Sequence, residues 1–170
     1  IVFKNNQANQ ANQANQVNQL IHLEESGYIR VENKKIVIIV DVADIGPDYI
    51  PGHGHADALS FELSFFGKRV IVNSGISTYE LKEDRYNQRG TELHSTITID
   101  NQNSSEVWGG FRVANRAKVL NITKFEDDKG VKFSACHDGY KKLKGAVLHC
   151  RHWTIANNSI RIIDNITGSG

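Results

Sequence analysis

The sequence predicts an all-β protein, an antiparallel β-sandwich of two packed sheets truncated at its C-terminus, and three observations carry that expectation. From residue 24 onward, short runs rich in Val, Ile, Thr, Phe and Tyr recur, and none carries the three-and-four apolar spacing of a helical stripe. The runs are separated by turn-forming groups such as Asn33-Lys34-Lys35, Phe66-Gly67-Lys68 and Ala156-Asn157-Asn158. One run alternates cleanly, with Leu59, Phe61, Leu63 and Phe65 on one face and Ser60, Glu62 and Ser64 on the other. Short strands with frequent turns close most readily as a sandwich or barrel.

The elements follow in order. Residues 28–32 and 36–42 flank Asn33-Lys34-Lys35 and read as a hairpin; 58–66 and 69–73 read as further strands. Further strands are expected at 95–100, 111–120, 131–135, 148–155 and 159–164. The polar segment 74–90 between them is long enough to be a functional loop. The last residues read as a strand and a turn with no partner strand after it, so we expect a fragment of a longer protein. Residues 1–22 differ in kind. Asn-Gln pairs recur there every three residues, offer almost no apolar area to bury, and drift around a helix of about 3.6 residues per turn. We expect a flexible Asn/Gln-rich linker or insertion at 1–22 and the sandwich domain at 23–170.

Composition narrows the function. Twenty basic residues against nineteen acidic give a net charge of +1, so no global field draws the chain to nucleic acid or an anionic membrane. There is no apolar run of about 18 residues and no signal-peptide pattern. Cys136 and Cys150 are too few for a disulfide framework and too far apart for a close zinc pair, which leaves the compartment open.

The chemistry concentrates in Pro51-Gly52-His53-Gly54-His55-Ala56-Asp57. If that backbone is extended, His53, His55 and Asp57 share one side and make a plausible metal or proton-transfer site. The ordinary alternative is a glycine-flanked loop whose histidines face water. His94 would by the same standard be a strand-end histidine and Asn73 a turn residue. Arg89 suits a substrate carboxylate through its planar fork, or is a solvated loop charge; Tyr79 either meets a sugar or packs in the core. The histidine of His137-Asp138-Gly139-Tyr140 reads as part of a turn, and His149 and His152 as strand residues. Trp108 and Trp153 fit core and sugar stacking equally.

Taken together, Leu23-Glu24-Glu25-Ser26-Gly27-Tyr28, the run from Gly52 to Leu63, Val72-Asn73-Ser74-Gly75 with Tyr79, Arg89, Leu93-His94-Ser95-Thr96 and Ser104-Ser105-Glu106-Val107-Trp108-Gly109 resemble the heparinase II/III-like family. The resemblance implies the C-terminal β-sandwich of a polysaccharide lyase that cleaves uronic-acid-containing chains by β-elimination. It implies a preceding helical toroid in the same chain, an acidic polysaccharide as partner, and a periplasmic or secreted setting. It further implies His53 as a catalytic residue at the cleft, Tyr79 and Arg89 as substrate-binding residues, and His55, residue 73 and His94 as metal ligands. Zinc suits two imidazoles and a carboxylate, but Asn73 stands where the pattern has Asp, and a neutral amide oxygen makes a weaker site. A non-catalytic carbohydrate-binding or structural module is the second reading. A cupin-type metalloenzyme is the third, and it fails on spacing: the glutamate after the second histidine is Glu62, too far along.

Overall fold

The computed structural model describes residues 2–4 and 18–169. Two five-stranded antiparallel sheets face each other. In chain order the strands are β1 (Val2–Lys4), β2 (Gln19–Leu23), β3 (Tyr28–Glu32), β4 (Ile36–Asp41), β5 (Phe61–Phe65), β6 (Lys68–Ile71), β7 (Val107–Trp108), β8 (Arg112–Val113), β9 (Val119–Asp127), β10 (Gly130–His137), β11 (Leu148–Ala156) and β12 (Ser159–Thr167), with one short helix, α1 (Glu83–Gln88). One sheet has the order β2-β3-β4-β5-β6, the other β1-β12-β11-β10-β9, and β7-β8 form a small ribbon beside them.

Alternation sets the interior. Ile29 and Val31 of β3, Ile36, Ile38 and Val40 of β4, and Phe61 and Leu63 of β5 turn inward from the first sheet; Val131, Phe133, Trp153, Ile155, Ile160 and Ile162 meet them from the second. Phe133 and Trp153 stack, with centroids 4.8 Å apart and planes 15° from parallel. Trp153 therefore belongs to the core, whereas Trp108 is exposed with the Arg112 guanidinium over its ring. The Asn33 turn forms because Asn33 Oδ1 accepts the amides of Lys35 and Ile36. Cys136 and Cys150, directly opposite on β10 and β11, are joined by a disulfide.

Several expected boundaries move. Gln19–Leu23 pairs with β3, so residues 19–22 lie in a sheet and not in a linker, while 5–17 fall outside the described residues. The last strand, β12, pairs with two strands that precede it, with β11 along its length and with β1 at Ser159, Ile160 and Arg161. Residues 58–60 precede β5 as a turn in which Leu59 adopts φ 62°, although Leu59 is buried as expected. The strand expected at 95–100 does not form. Ser95 Oγ both accepts the Phe61 amide and donates to the Phe61 carbonyl, and Thr96 Oγ1 donates to Ala58 O, so hydroxyls take backbone groups a ladder would have used. The expected strand at 111–120 resolves into β8 and the first residues of β9, most of which is exposed.

Candidate functional site

The loop from Pro51 to Ser60 and the segment around His94 meet at one end of the first sheet. Pro51–His53 is a single 3-10 turn, after which Gly54 is extended. That turn separates the two histidines that an extended backbone would have aligned. His53 is exposed, its ring edge-on to Tyr79 at 5.7 Å and to Phe111 at 6.1 Å. His55 points instead toward His94, with His55 Nδ1 and His94 Nε2 3.3 Å apart. Asp57 joins them: one ligand atom from each of His55, Asp57 and His94 lies within 4.8 Å of the others. A carbon at Gly54 Cβ would sit 2.8 Å from Ile45 Cγ1, so the residue between the histidines has to be small.

Two arginines four residues apart, Arg85 on α1 and Arg89 at its C-cap, hold this loop in place. Arg89 is fully buried and donates to the carbonyls of Gly54 at 3.0 Å, Gly109 at 3.2 Å and Arg112 at 3.3 Å. Expected as a substrate-carboxylate ligand, it has its guanidinium directed to backbone oxygens, an arrangement that argues against direct contact with substrate. Arg85 is the residue that sequence reasoning passed over. It donates to Gly110 O at 2.6 Å and, at longer range, to Gly52 O and Thr78 O, and its guanidinium lies 4.1 Å from the Phe111 ring centroid and 5.0 Å from that of Tyr79. Together they clamp the histidine loop against the β7-β8 ribbon. Thr91 fastens the next segment, its Oγ1 donating to Ala56 O at 2.7 Å. Tyr79 is mostly exposed beside His53.

The electrostatics favour neutral imidazoles. Burial first, then His94, Arg89 and Arg85, push the His55 pKa down to about 4. Burial also pushes His94 down. Both rings therefore offer lone pairs at neutral pH. Burial raises the Asp57 carboxyl, and the neighbouring Asp41 carboxylate raises it further; Asp41 is itself raised by burial. The cleft above, of about 1070 Å³, is lined by Glu24, Glu25, Asp41, Asp44, Asp57 and Glu62 besides His53 and His55, with no Lys or Arg among its described lining residues. Asn73 also lines it, exposed, and its Oδ1 accepts the Gly75 amide at 2.8 Å.

These donors fit zinc. Two nitrogens bound tetrahedrally at the usual zinc distance stand about 3.3 Å apart, and Asp57 adds a carboxylate. The set the structure assembles is thus His55, Asp57 and His94, with Asn73 on the rim, where its side chain caps its own turn.

A family model described as heparinase II/III-like, C-terminal, matches residues 15–170. Among solved structures, a heparan sulfate lyase HepC mutant from Pedobacter heparinus aligns with a TM-score of 0.66 at 20% identity, over 89% of this chain and 22% of that one. A heparinase III with methylated lysines aligns with a TM-score of 0.60 at 22% identity, over 85% of this chain and 21% of that one. The chain spans about a fifth of the length of either. A search of curated protein sequences gives no match. At these identities the structural likeness speaks for the fold.

Proposed function

The chain belongs to the heparinase II/III-like family as its C-terminal domain, and from that premise we propose that it forms one wall of the cleft of a polysaccharide lyase acting on uronic-acid-containing chains. The observation that carries this reading is the shared loop: His53 stands exposed at the cleft while His55, two residues on, meets Asp57 and His94 beneath it.

In β-elimination the C5 proton leaves to a base, the electron pair forms the C4–C5 double bond, and the C4–O4 bond breaks as O4 gains a proton. His53 is an exposed imidazole at the cleft, and we assign it a proton-transfer role at the uronate, with the Tyr79 ring orienting the sugar. The remaining acid–base groups come from the helical toroid expected in the parent chain. Zinc at His55, Asp57 and His94, when bound, would supply positive charge in a cleft whose own lining is acidic. Such charge, or basic groups from the toroid, is required because a carboxylate-lined wall repels a polyanion. The chain's residues do the rest: Arg85 and Arg89 fix the loop, and the neutral imidazoles keep their lone pairs. The Cys136–Cys150 disulfide supports a periplasmic or secreted setting, since disulfides persist in oxidising compartments. Among the described residues no helix is long and apolar enough to cross a membrane.

Digestion of heparan sulfate and alginate by the whole protein, followed through the ultraviolet absorbance of the unsaturated product, tests the reading. His53→Ala should lower kcat about 10²–10⁴-fold. Unchanged kcat would remove His53 from the chemistry, and absence of any unsaturated product from uronate polymers would remove the lyase.

A further inference from the structure

A second histidine pair lies outside the cleft, at the same end of the opposite sheet. The inward face of each of three strands changes there from apolar to polar: Phe133 and Ala135 lead to His137, Ile155 and Trp153 lead to Arg151 and His149, and Ile160 and Ile162 lead to Asp164. His137 and His149 are fully buried and Arg151 nearly so.

The hydrogen bonds run in one direction. The Gly139 amide donates to His137 Nδ1 at 3.2 Å, which puts the His137 proton on Nε2. That proton faces His149 Nδ1 at 2.9 Å, so the His149 proton sits on Nε2 and points at Asp164 Oδ1, 2.7 Å away. Asp164 takes Arg151 through both oxygens, at 2.5 and 3.1 Å. Arg151 Nη1 then reaches across the sandwich to Ser95 O at 2.6 Å and Leu59 O at 2.9 Å. Ser95 follows His94 in the chain, and Leu59, at its positive φ, lies two residues after Asp57.

We propose that Arg151, oriented by Asp164 and the His149–His137 pair behind it, is a positioning residue that sets the distance between His94 and the Asp57 segment, and with it the metal affinity of the cleft. This rests on the metal reading of the cleft given above. The two backbone segments that carry these donors lie outside the strands, fastened to their neighbours by a few hydroxyl and backbone bonds, and one guanidinium nitrogen ties both together. Arginine suits the task because its rigid fork can hold Asp164 on one edge and two carbonyls on the other; lysine cannot do both.

The test uses the whole protein and zinc alone as probe. Calorimetric titration of Arg151→Lys should show zinc affinity about 10–100-fold weaker than in the native protein, the size expected when a group that orients a ligand is lost. Asp164→Asn, which keeps shape and one acceptor oxygen, should weaken it less. His152→Ala, on the exposed face of β11, serves as control and should leave it unchanged. Equal zinc affinity in native and Arg151→Lys protein, with both folded, would overturn the proposal, because a purely structural role lowers stability without changing affinity in the folded state. Failure of the native protein to bind zinc would instead sink the metal reading. The positioning claim is then read from nitrogen-15 spectra of the metal-free imidazoles: displaced His55 and His94 resonances in Asp164→Asn support it, and superimposable ones overturn it.

Discussion

The two histidine pairs of this domain are near-copies in distance and opposites in circumstance. His137 and His149 lie 2.9 Å apart, His55 and His94 3.3 Å. In the first pair both other ring nitrogens have partners, the Gly139 amide and the Asp164 carboxylate, so each proton has one place to be. In the second, His94 Nδ1 is buried without a hydrogen bond, Asp57 stands close by, and the cleft lies above. Two histidines in contact are therefore not a metal site by themselves. What separates the pairs is whether the protein has already used the lone pairs.

If the first pair is structural and the second functional, their stabilities should respond differently. Asp164→Ala leaves Arg151 buried beside two carbonyls without its counter-ion and should cost about 3 kcal/mol in denaturant unfolding. His94→Ala removes a buried ring but leaves no unpaired buried charge, and should cost less, about 1–2 kcal/mol. Similar costs for the two would break the distinction.

Acid should act strongly on the buried pair. Burial, with His149 adding to it, holds the His137 pKa down at about 3, well below its ordinary value of 6.5. Between those two values the unfolded chain binds a proton that the folded chain does not, so stability falls as pH drops through the window, by up to about 1.4 kcal/mol per pH unit for that group. Asp164, held below the ordinary carboxylate range chiefly by His149 and Arg151 against its own desolvation, adds to the loss at the acid end. The raised carboxyls of Asp57 and Asp41 act in the opposite sense over the same range, so the His137 contribution is read as a difference: from pH 7 down to 4 the native protein should lose stability relative to His137→Gln. Parallel curves for the two proteins would show that the histidine pair is not buried in neutral form.

The smallest effect is expected at residue 73. Asn73 Oδ1 accepts the Gly75 amide and Asp57 already supplies a carboxylate, so Asn73→Asp should raise zinc affinity by less than about tenfold, measured by chelator competition. A larger gain would make residue 73 a ligand in its own right.

How much of this was legible in the sequence follows from the same contrast. The strands of the sandwich interior were, because alternation is a local signal: Phe61 and Leu63 are buried as their spacing implied. The inward parity of His149 and Arg151 with Trp153 and Ile155 was equally visible, yet polar residues on a core face do not announce what they bind. The site was half legible. His55 and His94 were marked by motif, but the 3-10 turn that carries His53 away, and the burial of Arg89 under three carbonyls, depend on a helix and a ribbon distant in sequence. Residues 95–100 misled because their hydroxyls, which look like β-formers in a string, capture the backbone groups of the neighbouring turn.

The open histidine pair, with Asp57, is the proposed metal centre of the cleft wall. Calorimetric titration of the whole protein with zinc tests it most directly, comparing native protein with His55→Ala and Asp57→Asn. The account predicts a binding event in the native protein that is lost in His55→Ala and weakened at least about tenfold in Asp57→Asn, since two neutral imidazoles alone leave the ion's charge uncompensated. Binding of equal strength in all three proteins, or none in the native one, would contradict it.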